Sequence, residues 1–283
     1  MKAYIIYHHD EAVKNASFIK MFQKEGKKHS IDFEYIDHSE YRNRPLPDLV
    51  LNRTRDYKVS QWYEEREVNV KHSSLITKIG NDKYKAIRYL SRNLSDKILV
   101  TKWCPQSYLY RYDELEKYTA ANEMIMNRYI VKSLNGHGGT EVYMVSDIES
   151  QKSALNKLKG KDCIVQEIID SDSNDVRVYV VDGRIYAAIL RHGNNDFRSN
   201  FSLGGKVSEY NLNDSQKQFI ANFIKAFGGK ELGMAGIDFI VTRDNKLIFN
   251  ELEEMVGSRM LYKITDKDIV ADYVSILAGD NII

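Results

Sequence analysis

The 283-residue sequence has little cysteine, three prolines and almost no net charge. The two cysteines, Cys104 and Cys163, are too few for a disulfide framework or a cysteine-built zinc site. With 41 Lys and Arg against 40 Asp and Glu, the formal net charge is +1, so no overall field favours nucleic acid or an anionic membrane. No apolar run approaches the ~20 residues of a membrane helix. We therefore expect a soluble, cytoplasmic protein without nucleic-acid or membrane partners.

The remaining composition is that of a globular protein, with 43% hydrophobic and 29% charged residues. The length predicts two domains, or one core with an attached lid. Over the first eighty residues, strand-like apolar runs alternate with helical spacing, which predicts a small sheet covered by helices. One predicted helix lies around Gln61–Glu67, and the predicted strands are residues 3–7, 31–37, 48–52 and 68–72.

A glycine-rich loop, NGHGG at 135–139, lies between two predicted strands at 129–132 and 141–145. It matches neither a Walker loop nor a dinucleotide fingerprint. Because glycines let backbone N–H groups turn toward a ligand, the loop suits a phosphate cradle, with a plain hairpin turn as the alternative. Lys132 and His137 are candidates to contact the phosphates; a solvated lysine and a solvated histidine are the alternatives.

Two other segments add weaker indications of nucleotide binding. Lys83 lies in the first turn of a helix that Asn81 or Asp82 can cap, where the helix dipole favours anions. A predicted strand at 162–170 carries Gln166 and Glu167, next to a backbone that can hydrogen-bond an adenine edge. Taken alone, Lys83 is more often a solvated lysine, and many strands resemble 162–170.

The second half of the chain is rich in arginines near predicted turns. A hairpin at 175–191, with Asp182-Gly183 as its turn, carries Arg177 and Arg191. The next loop adds Arg198 and Asn200. Each arginine alone is more often a surface residue. Together they favour a site that binds carboxylates or phosphates through planar guanidinium groups.

Three carboxylates lie on two predicted strands, GIDFIV and KLIFNELE. Glu251 and Glu253 are two residues apart and point to one face, while Asp238 interrupts an apolar run. A buried carboxylate needs a cation or hydrogen bonds, and hard oxygen ligands suit Mg²⁺. We therefore predict a magnesium site at Asp238, Glu251 and Glu253. Strand alternation places Asn250 on the opposite face.

No Ser/His/Asp set or Cys/His pair stands out as a nucleophilic site. The combination of lysines, glycine loop, arginines and carboxylates instead favours phosphoryl transfer, in which positioning and charge neutralisation supply the catalysis.

Seven segments, in one order over roughly residues 45–262, resemble the RimK-like carboxylate–amine ligases of the ATP-grasp superfamily. They are LNRTRDY, NDK, YIVKSLNGHGG, IVQEIID, DVRVYVVDGR, RSNFSLGG and GIDFIV with IFNELEE. The resemblance implies an α/β (α+β) ATP-grasp fold with three parts. These are an N-terminal α/β domain at 1–80, a central lid subdomain at 81–166, and an antiparallel-sheet subdomain with the metal and substrate site at 167–283.

The resemblance also implies roles for individual residues. Nucleotide contacts are implied for Lys83, Lys132, Gly136, His137, Gly138, Gly139, Gln166, Glu167, Ile168, Ile169, Asp175 and Asn200. Catalytic roles are implied for Arg191, Arg177 and Lys132. Mg²⁺, with Mn²⁺ as the alternative, is implied at Asp238, Glu251 and Glu253. Substrate contacts are implied for Arg198, Asn200, Ser258 and Arg259. The sequence departs from the family pattern in having Glu251-Leu252-Glu253, where relatives commonly have Glu-x-Asn.

The function implied is ATP-dependent ligation of a carboxylate to an amine through an acylphosphate, with release of ADP and phosphate. The carboxylate would be a small molecule, a peptide or a carrier-bound group, and relatives commonly form homo-oligomers. An ATP-grasp small-molecule kinase is the nearest alternative, and a non-catalytic nucleotide-binding module is another.

Overall fold

The N-terminal region forms a sheet covered by helices, as the alternation of strands and helices predicts, and its strands are parallel. The computed structural model describes residues 1–193 and 206–280. The strands of the first sheet are β1 (Lys2–Tyr7), β2 (Asp32–Asp37), β3 (Leu49–Asn52) and β4 (Asn69–Lys71). They pair in parallel in the order β2-β1-β3-β4, and this confirms the four predicted strands.

Helices cover both faces of this sheet. They are α1 (His9–Lys14), α2 (Ala16–Lys28), α3 (Tyr57–Glu64) and α4 (Ser74–Gly80). Alternate residues of β1 pack in two cores, one containing α2 and the other α3, as expected for a central parallel strand. The predicted bounds of α3 were wrong because the helix begins earlier. The Asp56 side chain caps it by accepting a hydrogen bond from the Lys58 N–H at 2.9 Å.

The second sheet, here called the lid sheet, contains the glycine loop. Helices α5 (Lys83–Asn93) and α6 (Asp96–Leu99) precede it, and α7 (Tyr112–Ala120) and α8 (Ile148–Lys157) pack on it. Its strands are β5 (Ser107–Tyr110), β6 (Tyr129–Ser133), β7 (Val142–Val145) and β8 (Cys163–Gln166). They are antiparallel in the order β5-β8-β6-β7. The predicted pair around the loop is therefore confirmed as β6 and β7.

The third sheet has five antiparallel strands in the order β11-β10-β9-β12-β13. These strands are β9 (Asn174–Val181), β10 (Arg184–His192), β11 (Lys206–Glu209), β12 (Met234–Val241) and β13 (Leu247–Glu253). The helices of this region are α9 (Asp214–Ala226), a 3₁₀ turn (Gly229–Leu232), α10 (Arg259–Ile264) and α11 (Ile269–Leu277). Within 1–193 and 206–280, no helix has the length and apolar character needed to cross a membrane.

The third sheet is covered on both faces. Phe223 and Phe249 lie in one core, together with Leu90 of α5. The other core joins α10 and α11 to α2 of the first sheet. The predicted divisions after residues 80 and 166 fall at the ends of α4 and β8. Because α5 packs on the third sheet and also contacts β5 of the lid sheet, the division into three units stays a prediction.

The hairpin between β9 and β10 confirms the predicted turn. Asp182 and Gly183 have φ values of 49° and 74°, the left-handed conformation of a tight two-residue hairpin turn. A Cβ on Gly183 would lie 2.8 Å from the backbone of Gly229 and Lys230. The turn therefore needs glycine both for its backbone conformation and for this close approach.

A β-bulge interrupts the pairing of β12 with β13. Asp238 pairs with Glu251 and Phe239 pairs with Phe249, so Asn250 is an extra residue on β13. The bulge turns Asn250 to the same side as Glu251. The expected placement of Asn250 on the opposite face was therefore wrong, because strict alternation fails at a bulge.

Candidate active site

A cleft of about 490 Å³ lies between the lid sheet and the third sheet. The segment from Gln166 to Asp175, which connects β8 to β9, forms one wall. Lys132 and the glycine-loop residues Gly136 and Gly139 line it from the lid side, and Asn250 and Glu251 line it from β13. Lys83 lines it as well, so the fold brings together residues from five separate predicted motifs.

Two lysines, here called the lysine pair, lie at one end of the cleft. The Lys132 ammonium donates a hydrogen bond to Asn250 Oδ1 at 2.9 Å. Burial, with a smaller effect from the charge of Lys83, lowers the pKa of Lys132 to about 8. The Lys83 ammonium donates to the Gly136 carbonyl at 2.5 Å and lies 3.6 Å from Glu251 Oε2. This end of the cleft can therefore receive phosphate groups, as predicted for both lysines.

The glycine loop is attached to the start of α5. The Lys83 N–H donates to the Leu134 carbonyl at 3.2 Å, and the Asn135 side chain donates to the Asn81 carbonyl. Gly138 and Gly139 have positive φ values of 65° and 73°, which favour glycine. Asp82 caps α5 through the Lys85 N–H at 2.9 Å, and this confirms one of the two predicted caps. His137 is exposed in the loop.

The predicted adenine segment also lines the cleft, with Gln166, Glu167, Ile168 and Ile169 together. The buried Gln166 amide donates to Ser107 Oγ at 2.8 Å. The Glu167 carboxylate accepts from the Gln106 N–H at 2.7 Å and from Lys102 at 2.9 Å. Both side chains thus hold the connection to β5. The adenine role remains a prediction, and it rests on the backbone of this segment.

Four buried side chains form what we call the arginine–aspartate cluster: Arg177, Arg191, Asp175 and Asp238. Arg177 donates to both Asp238 oxygens, at 2.8 and 2.7 Å. Arg191 donates to Asp175 Oδ1 at 2.6 Å, again to Asp175 Oδ2, and to Asp238 Oδ2 at 2.7 Å. Burial alone would raise the pKa of Asp238, but the two guanidinium charges outweigh it and hold that pKa well below its usual range.

This cluster changes the case for a metal at Asp238. The buried carboxylate has its cations, because Arg177 and Arg191 supply them. Arg177 also contacts Glu253 Oε2 at 3.2 Å. Within 1–193 and 206–280, no three His, Cys, Asp or Glu side chains are placed to hold one metal ion. The three-carboxylate site therefore stays a prediction.

Part of the donor set does fit magnesium. Glu251 faces the cleft beside the Asn250 amide, at the end that holds the lysine pair. Mg²⁺ commonly takes one or two carboxylates and completes its coordination with water and substrate phosphates. Glu251 would be the first ligand for a magnesium–nucleotide, with Glu253 next to it on the same strand face.

Two polar residues near the cleft were not predicted as functional. Asn250 reaches Lys132 only because of the β-bulge. Glu254 is buried and accepts a hydrogen bond from Asn81 Nδ2 at 2.6 Å. Burial, aided by the charge of Glu253, raises the pKa of Glu254 to about 7. Neither feature has a sequence pattern that would reveal it.

The predicted substrate residues are only partly located. Ser258 is buried at the start of α10, and Arg259 is exposed as the first residue of that helix. Neither lines the cleft. Arg198 and Asn200 lie outside the described residues. The substrate roles of these four residues therefore remain predictions.

Comparison with known proteins supports the same fold and family. The chain is 27% identical over 271 residues to the uncharacterized protein MG011 of Mycoplasma genitalium, covering 93% of this chain and 87% of that protein. It is 32% identical over 159 residues to a probable alpha-L-glutamate ligase of Haemophilus influenzae, covering 54% of this chain and 51% of that protein.

A solved structure shares the architecture at low identity. The ATP-grasp ligase PsnB, complexed with a minimal precursor, Mg and ADP, superposes with a TM-score of 0.67 and 14% identity, covering 98% of this chain and 96% of that chain. This likeness confirms the predicted ATP-grasp fold. Residues 80–277 match the RimK-like ATP-grasp domain. The chain belongs to the RimK-like ATP-grasp family.

Proposed function

We propose that the protein is an ATP-dependent carboxylate–amine ligase that forms an amide bond through an acylphosphate. The observation that carries this proposal is the cleft, which has the lysine pair and Glu251 at one end and a backbone segment suited to a base along its wall. Family membership supports ATP as the nucleotide. These residues would act by positioning the substrates and by neutralising phosphate charge, and no covalent intermediate would form on the protein.

The nucleotide would lie along the cleft with its phosphates at the lysine pair. PsnB has been solved with Mg and ADP, which supports an ADP-forming nucleotide site in this fold. Glu251, with Glu253 beside it, would hold the magnesium, and a bound magnesium ion would neutralise phosphate charge. The Lys132 ammonium would donate a hydrogen bond to a phosphate oxygen, either instead of or in addition to its hydrogen bond to Asn250 Oδ1.

In the first step, an oxygen of the substrate carboxylate attacks the γ-phosphorus of ATP. The bond from that phosphorus to the β–γ bridging oxygen breaks, so that an acylphosphate and ADP form. Lys132 and Lys83 offset the negative charge on the transferred group, as fixed charges do in phosphoryl transfer. The arginine–aspartate cluster would hold the third sheet in shape beneath this site, with Asp175 as the member that lines the cleft.

In the second step, an amine attacks the acyl carbon of the acylphosphate. The carbon–oxygen bond to phosphate breaks, phosphate leaves, and the amine loses a proton to give the amide. The glycine loop would exclude water from the acylphosphate during this step. Among the described residues that line the cleft there is no cysteine or histidine, which is compatible with a path that needs no protein nucleophile.

A product assay tests this proposal directly. The protein is incubated with Mg-ATP, a pool of carboxylic acids and a pool of amines, and nucleotides and new masses are read together. ADP, phosphate and a product with the mass of acid plus amine minus water would support the ligase. The Lys132→Met variant is the matched negative control, because it removes the charge at the phosphate end.

Two other results would contradict the ligase. ADP with a product that gains one phosphoryl group, and no condensation product, would indicate the kinase alternative. Binding of Mg-ATP without ADP formation, in the presence of any acid and amine, would favour a nucleotide-binding module. If calorimetry detected no binding of Mg-ATP, the proposal of a nucleotide site would itself be wrong.

A further inference from the structure

The turn between α4 and α5, residues 80–83 and here called the helix junction, holds the start of the glycine loop. Three hydrogen bonds join the two segments. They run from Asn135 Nδ2 to the Asn81 carbonyl, from the Lys83 N–H to the Leu134 carbonyl at 3.2 Å, and from the Lys83 ammonium to the Gly136 carbonyl at 2.5 Å. The loop therefore takes its position from the helix junction over successive residues.

On its other side, the helix junction contacts Glu254, the residue that follows β13. The Asn81 amide donates to Glu254 Oε1 at 2.6 Å and to the Thr77 carbonyl at 2.9 Å. A Cβ on Gly80 would lie 3.0 Å from Glu254 Oε2, so glycine at this position permits the close approach of the carboxylate. These contacts fix Asn81, whose own carbonyl binds the glycine loop.

The carboxylate of Glu254 is buried, with 2% of the residue exposed. Within 1–193 and 206–280, its side-chain partner is the Asn81 amide, and it forms no ion pair. Burial of a carboxylate costs free energy that one hydrogen bond to an amide does not offset. An apolar side chain of similar size would cost less at this position. What the carboxylate contributes is therefore the placement of Asn81.

The contacts of Asn81 connect elements that meet at the phosphate end of the cleft. Glu251 lies on β13 shortly before Glu254, and its Oε2 is 3.6 Å from the Lys83 ammonium. Lys83 belongs to the helix junction and donates to the glycine loop. Strand β13, the helix junction and the glycine loop thus form one connected set around the expected position of the phosphates. A displacement of Asn81 would move the loop relative to β13.

We propose that Asn81 is a positioning residue that holds the glycine loop closed over the acylphosphate. Its side chain binds Glu254, and its carbonyl binds Asn135, so the position of the loop is set by the end of β13. This inference rests on the proposed ligase function. If the loop is released, water reaches the acylphosphate and attacks the acyl carbon, the bond to the phosphate oxygen breaks, and the free acid and phosphate form. ATP is then consumed without formation of the amide.

The ratio of ADP to amide tests this inference, measured in one reaction with the acid and amine found in the product assay. For the wild type we expect one ADP per amide, because the closed loop excludes water. Asn81→Ala should lower amide formation ~10²-fold through misplacement of the loop, and should raise ADP per amide at least ~10-fold because ATP hydrolysis continues. If Asn81 only stabilised the fold, both products would fall together and the ratio would not change.

Matched variants identify the contacts through which Asn81 acts. Asn135→Ala removes the loop side of the same hydrogen bond at an exposed position, and it should raise the ratio similarly. The double variant should be no worse than Asn81→Ala, since residues that act through one contact are not additive. Glu254→Met should resemble Asn81→Ala, whereas Glu254→Gln keeps an acceptor for the Asn81 amide and should stay close to wild type.

The control is Asn93→Ala, which changes an exposed asparagine at the other end of α5 and should behave as wild type. An Asn81→Ala variant with the wild-type ratio of ADP to amide would overturn the inference. Independent effects of Asn81→Ala and Asn135→Ala, which multiply in the double variant, would overturn it as well.

Failure of the ligase proposal is a separate result, seen as no amide from any acid and amine. Hydrogen exchange of the free protein, followed by NMR, then tests the hold on the loop without turnover. The Lys83 amide, which donates to the loop at Leu134, should exchange ~5-fold faster in Asn81→Ala and in Asn135→Ala, with the amides of α11 unchanged. That result would support the positioning role without the reaction. Exchange of the Lys83 amide at the wild-type rate in Asn81→Ala would overturn it.

Discussion

The charged groups around the cleft form two regions that differ in how far their charges are paired. In the arginine–aspartate cluster, each guanidinium meets carboxylates at hydrogen-bond distance within the protein. Among the described residues of the lysine pair, Lys132 donates to an amide oxygen, while Lys83 donates to a loop carbonyl and has its nearest carboxylate, Glu251, at 3.6 Å. In the arginine–aspartate cluster, folding alone pairs the positive charges with carboxylates. In the lysine pair, positive charge remains that a bound nucleotide can neutralise. Buried paired charges therefore hold the sheet, and incompletely paired charges bind the ligand.

The largest expected effect on stability comes from removing the shared carboxylate of the cluster. Asp238→Asn would leave two buried guanidiniums without adequate charge partners, and the free energy of unfolding should fall by ~3–5 kcal/mol. Urea unfolding followed by circular dichroism measures the change. The exposed Asp266→Asn is the control and should stay within ~0.5 kcal/mol of wild type. Equal stability of the two variants would show that the cluster is not structural.

The opposite pattern is expected for the lysine pair. Lys132→Met keeps the length of the side chain but removes its charge, so turnover should fall ~10²–10³-fold, as when a fixed charge-stabilising group is lost. Unfolding free energy should change by less than ~1 kcal/mol, because this ammonium is only partly satisfied within the protein. Initial rates of ADP release and urea unfolding test the two statements. Lys159→Met, exposed in the lid, is the control. If Lys132→Met lowered the free energy of unfolding as much as Asp238→Asn, the proposed difference between a structural cluster and a ligand-binding lysine pair would be wrong.

A smaller effect is expected at Glu251, which lies between the two regions. Glu251→Gln keeps the shape but removes the charge that would hold magnesium, so the Mg²⁺ concentration for half-maximal turnover should rise at least ~10–100-fold. Magnesium titration of turnover, together with calorimetry of ADP with and without Mg²⁺, measures this. The exposed Glu149→Gln on α8 should leave the titration unchanged. An unaltered magnesium dependence in Glu251→Gln would place the metal elsewhere.

The smallest effect concerns pH. Burial lowers the pKa of Lys132 to about 8, so the free protein loses this proton as the pH rises above 8. Bound phosphates favour the charged amine and raise its pKa. The KM for ATP should thus be constant below pH 8 and rise up to ~10-fold per pH unit above it. Lys132→Arg, whose group stays charged, should flatten this rise. A wild-type KM that is unchanged between pH 8 and 9.5 would contradict the prediction.

The sequence predicted the fold well where a local pattern sets the structure. The strands of the first sheet, the β6–β7 pair around the glycine loop and the Asp182-Gly183 turn follow from apolar runs and turn residues, and each is confirmed. Strand β5 and helix α7 were not predicted. Tyr108 and Leu109 of β5 are exposed, so this edge strand lacks a clear alternation between buried and exposed residues.

For the candidate site, the sequence predicted which residue types take part but not which side chains contact each other. The sequence indicated that Asp238 is buried and needs a cation, but it could not show whether a metal or an arginine supplies the charge. Arg177 and Arg191 lie on β9 and β10, and only the pairing of β12 with β9 and of β9 with β10 brings them to Asp238.

The bulge at Asn250 has a consequence for how this strand tolerates changes in length. Without Asn250, the chain would run Phe249, Glu251, Leu252, Glu253, a strict in–out alternation that keeps both apolar side chains in the core and both glutamates on the opposite face. A one-residue deletion usually reverses the phase of a strand, but this deletion would correct it. Asn250 is thus an insertion whose removal preserves the sheet and withdraws only the acceptor of Lys132. Loss of this single codon would alter the phosphate end of the cleft without refolding the strand.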